Sequence, residues 1–538
     1  MGYLADLRDS LRAFSPQERR NLVFYVLGIM VYKFGLEAFN GSITALATNR
    51  YDYESITHNT SSRTFERLAL LQGLNQAAQC VGSIIIAPLV KRFPTKNVLV
   101  CAILLFGLCS AILLILDAST GGTFVPAAYR KHHPKNEWSY YGKYPNDAII
   151  PIYTVSGIAY GCVELIRRII PRDIVGGNVQ KLRKMDSIVH IFYETTGTAG
   201  AFVTALVLIP QFGNNMSFII TPVCFAIAST IWYFISDLGF VRRDKGLVLQ
   251  ERPSYFKALW SGLWLFGESI WVGARIIFTS RKFIWLIPGY AIALYAHRYL
   301  ENGIAPHVAR RYFGESAWSQ IMVGGSNLGE LLGALCVFLF TNVIQTPLPW
   351  LRIDALMLLI VWYIPYWRPP AHDVTQAWIV AATFLPISFG WAAGDVSLAA
   401  YIQASLARQE SANRNISALG AVMAFLYSFY IILYAVAGTF LGRYLDSVYN
   451  ASGGSDGGGT IYSGLVNTAG VQFTVISVVV LCSTFAPKGS FALNPHMISD
   501  ERLDRDMGFE DEVTIRKETP DMELIEKERT HVRELRTT

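Results

Sequence analysis

Charged residues are scarce in this chain of 538 residues, in which Asp, Glu, Lys and Arg make up only 16%. A soluble domain carries about 25%. Hydrophobic residues make up 52% of the chain. So many apolar side chains cannot all be hidden in one soluble core, and several segments reach the length of about 20 residues that crosses the hydrocarbon of a bilayer. The composition predicts a polytopic membrane protein.

The chain has no basic surface of the kind that binds nucleic acid, although its net charge is +6. The basic residues cluster beside the apolar segments, where the positive-inside rule places them. The N-terminus is basic, with Arg8, Arg12, Arg19 and Arg20, and no small-residue cleavage site follows. We interpret the first apolar segment as a retained span and not as a signal peptide.

Metal-ligand patterns are also missing. The seven cysteines lie inside predicted spans, and no two have the spacing of metal ligands. A small, buried apolar role fits them better than a metal or disulfide role. His190 and His297 are single histidines, which belong more often to a satisfied polar core than to a metal site. We expect no metal and no cofactor.

Twelve apolar segments have the length of a span. Each should be helical, because backbone polar groups in lipid must bond within their own segment. The fold class is therefore an all-α membrane protein. The predicted spans are residues 21–47, 68–90, 97–117, 146–170, 185–210, 216–236, 283–304, 317–342, 350–366, 375–405, 414–441 and 463–486.

The loops alternate in charge, which predicts the side of the membrane that each one faces. Basic residues concentrate at the N-terminus and after the second, fourth and sixth spans, so both termini are expected in the cytoplasm. N-glycosylation sequons at Asn59 and Asn450 fall on the opposite side, as glycosylation requires. A third sequon, at Asn415, falls on the cytoplasmic side.

The pattern divides the chain into five parts. They are a cytoplasmic N-terminus (1–20), a six-helix bundle (21–236), a cytoplasmic linker (237–282), a second six-helix bundle (283–487) and a disordered cytoplasmic tail (488–538). Within the linker, residues 255–278 are apolar and aromatic but basic at both flanks. We interpret them as a helix in the cytoplasmic membrane interface. A thirteenth span is the alternative.

The charged residues of the first span recur in the seventh. Lys33 corresponds to His297 and Glu37 to Glu301, and in both spans Asn-Gly and then Arg-Tyr follow. This correspondence is the first sign of an internal duplication.

Two more pairs of spans match in the same order. The second and eighth pair Asn75 with Asn327. The fourth and tenth share Gly-x-x-x-Gly before an acid, Glu164 in one and Asp395 in the other. Three matches in the correct order predict two repeated halves of six spans, which is typical of transporters with a site near the membrane midplane.

Charge also avoids every third span. The third, sixth and twelfth spans have no charge near their centres, and the ninth has only Arg352 and Asp354 near its start. A pattern tied to helix order predicts a shared polar interior, with the third helix of each triplet facing lipid.

Twelve spans in two repeated halves, a central cytoplasmic linker and a basic loop between the second and third spans resemble the major facilitator superfamily over residues 21–486. The resemblance implies that the first, fourth, seventh and tenth helices line a central cavity. It also implies that the second, fifth, eighth and eleventh form lateral interfaces. The family's loop signature is degraded in "APLVKRFPTK" (87–96), where Arg92 and Lys96 match but Lys91 replaces the acid. We do not expect the gate based on that acid.

We expect a secondary transporter of a small organic solute that works by proton-coupled alternating access.

A charge at the bilayer centre costs about 2.5–3.5 kcal/mol on insertion scales, so each charged residue in a span needs a reason. Lys33 and Glu37 are either a self-neutralised pair or a proton and substrate site. Glu194 has no basic residue four positions away, and an isolated buried carboxylate can take up a proton near neutral pH. Glu164 is interpreted equally well as a structural partner of the arginines that follow it.

The candidate proton carriers are Glu37, Glu194, Glu301 and Asp395. Lys33 and Arg298 are candidate anchors for an anionic or zwitterionic substrate, although Arg298 alternatively pairs with Asp395. Aromatic side chains, Tyr32, Tyr193, Tyr299 and Trp391, would pack against the substrate. The full candidate set is Lys33, Glu37, Asn75, Glu194, His297, Arg298, Glu301, Asn327 and Asp395.

Two other classes stay open, a non-transporting membrane sensor of the same fold and a polytopic transferase. No nucleophile-plus-base constellation is present, so we do not expect an enzyme. The expected partners are a small-molecule substrate, protons and the lipid bilayer, with the protein as a monomer and no nucleic acid. The sequons indicate a eukaryotic secretory route, and we favour the plasma membrane over the vacuole or another endomembrane.

Overall fold

The computed structural model describes residues 14–90, 92–130, 138–175, 179–236, 254–340, 343–406, 417–455, 457–495 and 498. Throughout these residues the regular secondary structure is helical. Residues 1–13 of the predicted N-terminus, the linker residues 237–253, the sequon at Asn415 and residues 496, 497 and 499–538 of the predicted tail lie outside the described residues.

The first six spans form the N-terminal half. Their helices are Pro16–Thr57, Thr64–Val90, Thr95–Ser119, Ile149–Val175, Val179–Val203 and Ile220–Tyr233. The fifth span continues as a π-helical segment, Thr204–Leu208, and a short helix, Ile209–Phe212.

The first helix is longer than the predicted residues 21–47. Ser15 caps its start, because the Ser15 side chain accepts a hydrogen bond from the Glu18 N–H and the Glu18 carboxylate accepts one from the Ser15 N–H. This capping box satisfies two donors that a helix start leaves free. The helix therefore begins before the apolar stretch from which the span was predicted.

The linker helix, Tyr255–Thr279, precedes six more spans. The eighth, tenth and eleventh spans are the continuous helices Ser319–Phe340, Val374–Leu406 and Ala418–Ala451. The other three are interrupted. The seventh alternates π and α segments (Ile287–Ile292, Ala293–Tyr299, Leu300–Ile304 and Ala305–Arg311), the ninth joins Leu348–Met357 to the 3-10 helix Leu358–Tyr363, and the twelfth, Tyr462–Ser483, contains the π segment Val466–Val471.

Within the described residues, nine helices are long and apolar enough to cross a membrane, and Ser217–Tyr233 is a shorter apolar helix. The seventh and ninth spans bring the number to twelve. Their α-helical segments are short because π or 3-10 segments divide each span. The predicted twelve spans of an all-α membrane protein are confirmed.

Two pairs of spans join the halves. The second packs against the eleventh, and the fifth packs against the eighth. Glycines allow the first pair to approach closely, because a Cβ at Gly73 would lie 2.9 Å from Ala435, and one at Gly442 would lie 2.5 Å from the carbonyl oxygen of Phe65. Small residues permit such backbone contacts between helices in a membrane.

The linker helix lies across the ends of two spans. With 25 residues it is about 38 Å long, yet its contacts fall near one end of each span. Tyr255 donates a hydrogen bond to the Ile85 carbonyl of the second span, and a Cβ at Gly273 would meet the Ala421 carbonyl of the eleventh. A helix that ran beside them as a thirteenth span would contact them along their length. The geometry favours a helix at the membrane interface, which stays a prediction.

Candidate functional site

The two charges inside the first span form an ion pair. Lys33 Nζ lies 2.5 Å from Glu37 Oε1, and both side chains are buried. Glycines on the fifth span leave room for them, since a Cβ at Gly197 would lie 2.5 Å from Lys33 Cε and one at Gly200 would lie 3.1 Å from Glu37 Cβ. Lys33 Nζ also lies 4.4 Å from the centre of the Tyr193 ring, a cation–π contact. Each charge thus offsets the burial of the other.

Glu194 on the fifth span is less well satisfied. Its side chain is buried, and its Oε2 has no hydrogen-bond partner among the described residues. His190 Nδ1 lies 4.0 Å from Glu194 Oε1. The prediction that no basic residue lies four positions away is wrong, because a histidine at that spacing shares the same helix face. A buried oxygen without a partner is costly unless a proton, a water or a ligand supplies one.

A second group of charges joins the seventh and eighth spans. His297 Nε2 lies 2.6 Å from Glu330 Oε1 and 3.5 Å from Glu301 Oε1. Arg298 donates a hydrogen bond of 2.8 Å to Glu301 Oε2, and Ser326 donates one of 2.7 Å to Glu301 Oε1. Both oxygens of Glu301 are therefore occupied, and its charge is offset by Arg298.

The seventh span changes its winding around these residues. His297 lies in an α segment, and Glu301 lies in the π segment that follows, Leu300–Ile304. The ring of Trp391 on the tenth span stacks on the His297 ring, with 5.5 Å between the centres. Such π segments are rare and occur frequently at functional sites.

The two groups of charges meet where the fifth and eighth spans cross. A Cβ at Gly197 would lie 3.3 Å from Asn327 Nδ2, in addition to its contact with Lys33. Asn327 Nδ2 has no hydrogen-bond partner among the described residues. Phe202 on the fifth span lies against Gly324 on the eighth, so the two helices run in opposite directions, and Glu194 and Glu330 lie on the same side of the crossing. The midplane cluster comprises Lys33, Glu37, His190, Glu194, His297, Arg298, Glu301, Asn327 and Glu330.

Asn75 and Glu164 are not members of this cluster and contact other residues. Asn75 donates to the Tyr153 carbonyl and accepts from Gln79, so its amide fastens the second span to the fourth. Glu164 forms an ion pair of 2.7 Å with Arg167, three residues along its own helix. The repeat that pairs Asn75 with Asn327 in the sequence therefore does not give the two amides the same surroundings.

Asp395 is partly exposed on the tenth span. Arg298, the partner considered for it, forms its ion pair with Glu301 on the same helix. Asp395 keeps its place among the candidates on sequence grounds alone.

A second polar network lies at the end of the bundle that carries the 58–63 loop, the predicted outer side. Asp52 on the first span accepts a hydrogen bond from Thr64 and forms ion pairs of 2.5 Å with Arg310 and 2.8 Å with Arg311. Both arginines belong to the seventh span, so the contacts tie one half to the other. The sequence signal was the Arg-Tyr pair that recurs in the first and seventh spans, but it did not reveal Asp52 as the partner.

The eleventh span contributes to the same network. Asp446 accepts hydrogen bonds of 3.0 and 2.9 Å from the backbone N–H groups of Phe65 and Glu66, at the start of the second span. Asn450 accepts from the Ser62 N–H and donates to the Ser62 carbonyl. A carboxylate of one half thus caps a helix of the other half, where backbone N–H groups have no partner within the helix. The outer network comprises Asp52, Ser62, Thr64, Arg310, Arg311, Asp446 and Asn450.

Three donor atoms of the midplane cluster offer metal-ligand chemistry. The atoms of His297, Glu301 and Glu330 all lie within 4.8 Å of one another. Histidine spacing did not predict this group, because Glu330 comes from another helix. Two ligand atoms that bind one tetrahedral metal ion with bonds of 2.0–2.1 Å lie roughly 3.3 Å apart. His297 Nε2 and Glu330 Oε1 are closer than that, at 2.6 Å. Here His297 is hydrogen-bonded to Glu330, and Glu301 accepts hydrogen bonds from Arg298 and Ser326.

No family model and no curated protein matches this chain. Solved structures do. A point mutant of the nucleoside transporter NupG is 15% identical with a TM-score of 0.55, over 85% of this chain and 99% of that one. A D-xylose–proton symporter is 12% identical with a TM-score of 0.55, over 87% and 97%. A peptide transporter, POT, in complex with sulfate is 11% identical with a TM-score of 0.54, over 88% and 95%.

These matches establish the fold. The chain is an integral, multi-pass membrane protein with the fold of the major facilitator superfamily. The resemblance drawn from its two repeated halves is confirmed at that level.

Proposed function

We propose that this protein is a secondary active transporter of a small polar organic solute, coupled to protons. The observation that carries the proposal is the unpartnered Oε2 of Glu194, buried beside the crossing of the fifth and eighth spans. A proton or solute bound there contacts both halves at once. A site at the joint between two rocking halves faces each side of the membrane in turn.

The solved structures with this fold support a transport function. They include a nucleoside transporter, a D-xylose–proton symporter and a peptide transporter. Protons and small polar solutes are therefore the first classes to test.

Glu194 is the leading proton carrier of the predicted set. Glu37 and Glu301 each have a permanent cation within 3 Å, Lys33 and Arg298 respectively. Among the described residues, the ion contact of Glu194 is with His190 at 4.0 Å, and the charge of His190 itself depends on a proton. A carboxylate without a permanent counter-charge gains most from binding a proton.

The outer network indicates which state of the cycle this conformation represents. Its ion pairs and helix cap hold the two halves together at the predicted outer end. The side chains of Arg298 and His190 are still 42% and 39% accessible. We assign the conformation to the inward-facing state, in which solute reaches the cluster from the cytoplasm.

The test is transport by the purified protein in liposomes, with currents recorded on a solid-supported membrane. Amines, organic acids, amino acids, sugars and nucleosides are applied under a pH gradient to the wild type and to Glu194→Gln. The matched control is Asp373→Asn, at a carboxylate outside the cluster that caps the tenth span through the Thr375 N–H. Asparagine keeps that cap.

We expect a solute-evoked current in the wild type and in Asp373→Asn, and a loss of at least tenfold in Glu194→Gln. A current that Glu194→Gln leaves unchanged would remove Glu194 from the mechanism. Binding of a solute without flux in any gradient would identify the non-transporting sensor instead.

A further inference from the structure

The midplane cluster contains more negative than positive charge. Four carboxylates face two permanent cations, which gives a net charge of minus two while the histidines are neutral. The carboxylates are Glu37, Glu194, Glu301 and Glu330, and the cations are Lys33 and Arg298. The ionic groups of the outer network, by contrast, balance, with Asp52 and Asp446 against Arg310 and Arg311.

Both cations of the cluster are already paired. Lys33 lies 2.5 Å from Glu37, and Arg298 lies 2.8 Å from Glu301. An anionic substrate would have to share Lys33 or Arg298 with the carboxylate that each already binds, and it would lie beside two further carboxylates, which is unfavourable. The pairing therefore favours a cationic substrate over the anionic one for which Lys33 and Arg298 were considered as anchors.

The two remaining carboxylates come from opposite halves. Glu330 is hydrogen-bonded to His297 on its own half, and Glu194 has an oxygen with no partner among the described residues. Glu194 lies three residues before Gly197 and Glu330 three residues after Asn327, and Gly197 and Asn327 meet where the two antiparallel spans cross, so the two carboxylates lie on the same side of that crossing. Two like charges that face each other in a region of low dielectric constant are stabilised by a cation between them.

Aromatic rings beside the cluster already bind cations. The Tyr193 ring has Lys33 Nζ 4.4 Å and the Arg167 guanidinium 4.6 Å from its centre. Trp391 stacks on the His297 ring. Aromatic faces attract ammonium groups, and the attraction increases when the pair is shielded from water.

We propose that the solute is a small organic cation with a protonated amine, which binds Glu194 and exchanges with protons. This proposal rests on the proposed transport function and names its substrate class. The amine donates to Glu194 Oε2. Asn327, on the other half, binds a hydroxyl or carbonyl of the same solute through Nδ2, which has no hydrogen-bond partner among the described residues. The net charge of minus two is neutralised either by two protons or by one ammonium group and one proton. When the amine binds to the doubly protonated cluster, one proton is therefore released.

A divalent metal ion is the competing way to supply two positive charges. The short contact between His297 and Glu330 and the occupied oxygens of Glu301 disfavour it. The unpartnered donor on Asn327 disfavours it further, because an amide N–H cannot bind a cation.

The experiment compares three solutes with the same skeleton and different charge. They are tyramine (cation), tyrosol (neutral) and 4-hydroxyphenylpropanoate (anion), with Mn²⁺ as a fourth probe. Uptake into proteoliposomes with an acidic interior is measured together with the internal pH, and the values for protein-free liposomes, which tyramine enters as the neutral amine, are subtracted. The variants are Glu194→Gln and Asn327→Ala, and the control is Asp373→Asn.

We expect tyramine uptake to exceed that of the other two solutes by at least tenfold and to raise the internal pH as protons leave. Glu194→Gln should abolish it. Asn327→Ala, which changes no charge, should raise the KM for tyramine by roughly fivefold, the effect of one hydrogen bond. If Glu194→Gln does not fold, the Asn327→Ala shift and the selectivity of the wild type still decide the matter.

The outcomes separate the two proposals. Uptake of the anion or the neutral solute in preference to tyramine would overturn the cation proposal and leave the transport function standing. Uptake of Mn²⁺ that is lost in His297→Gln would also overturn it, in favour of a metal substrate. If folded protein moved none of the four probes and no solute of the wider panel, both proposals would fail.

Discussion

Arg311 on the seventh span forms two hydrogen bonds with Asp52 on the first, at 2.8 and 3.0 Å, and Asp52 is 1% exposed. The two residues are 259 positions apart, so this bidentate pair joins the two halves directly. Paired N–H donors that match a carboxylate give the strongest ion pairs of proteins. A transporter that opens outward must break this pair in every cycle.

Asp52→Asn is therefore expected to open the predicted outer end. Removing one partner of a buried ion pair costs about 3–5 kcal/mol. The cost falls on the conformation in which the arginines are buried at this end, and the outward-open state, in which they meet water, avoids it. A cysteine in place of Gln320, which is 5% exposed beside Gly41, reports the opening. Labelling by a membrane-impermeant maleimide, added outside intact cells, should rise at least tenfold.

Arg63→Gln is the matched control for that experiment. It removes an ion pair with Glu66 at the same end of the bundle, but the Arg63 side chain is 60% exposed. Exposed pairs contribute about 0.2–1 kcal/mol, so labelling should stay at the wild-type level. Equal labelling in Asp52→Asn and Arg63→Gln would show that the outer network does not hold this end closed.

Two glycines of the eleventh span should differ in their tolerance of alanine. A Cβ at Gly442 would lie 2.5 Å from the Phe65 carbonyl oxygen, whereas one at Gly438 would lie 3.8 Å from the Ala69 Cβ. Gly442→Ala must push the second span away, at a cost of about 1–3 kcal/mol. It should lower the melting temperature of the purified protein, while Gly438→Ala should not. Equal melting temperatures would contradict the close crossing.

The Lys33–Glu37 pair can be tested by removing one charge or both. Lys33→Met leaves Glu37 buried alone and should cost about 3–5 kcal/mol, whereas the double variant with Glu37→Met leaves no unpaired charge. We expect thermal unfolding to show a strong loss for the single variant and near recovery for the double. A double variant as unstable as the single would show that each charge has a partner beyond the other.

The two predicted glycosylation sites should behave differently. Asn59 is exposed in the 58–63 loop, whereas Asn450 Nδ2, the atom to which a glycan attaches, donates to the Ser62 carbonyl. Ser61→Ala and Ser452→Ala remove one sequon each and keep both asparagines. In a eukaryotic host, the gel shift on deglycosylation should disappear with Ser61→Ala and persist with Ser452→Ala. A gel shift that disappears with Ser452→Ala and persists with Ser61→Ala would contradict the prediction, because it would place the glycan on Asn450 Nδ2, the atom that donates to the Ser62 carbonyl.

The number and order of the helices followed from the sequence because lipid imposes a strict rule. Every span must be apolar, about 20 residues long and hydrogen-bonded within itself. Helix ends did not follow, since a cap such as Ser15 with Glu18 extends a helix beyond its apolar stretch. The π segments of the seventh span, Ile287–Ile292 and Leu300–Ile304, were not predicted from the sequence either.

The sequence by itself determined which residues carry buried charge, because a charge in a predicted span is rare and visible. Lys33, Glu37, Glu194, His297 and Glu301 were found in that way. Only the tertiary structure decided their partners. Glu330 reaches His297 from another helix, and Arg311 reaches Asp52 from the other half. One oxygen of Glu194 has no hydrogen-bond partner in the part of the chain that the structure describes. A charge interacts over a few ångströms of space, and distance along the chain says nothing about those contacts.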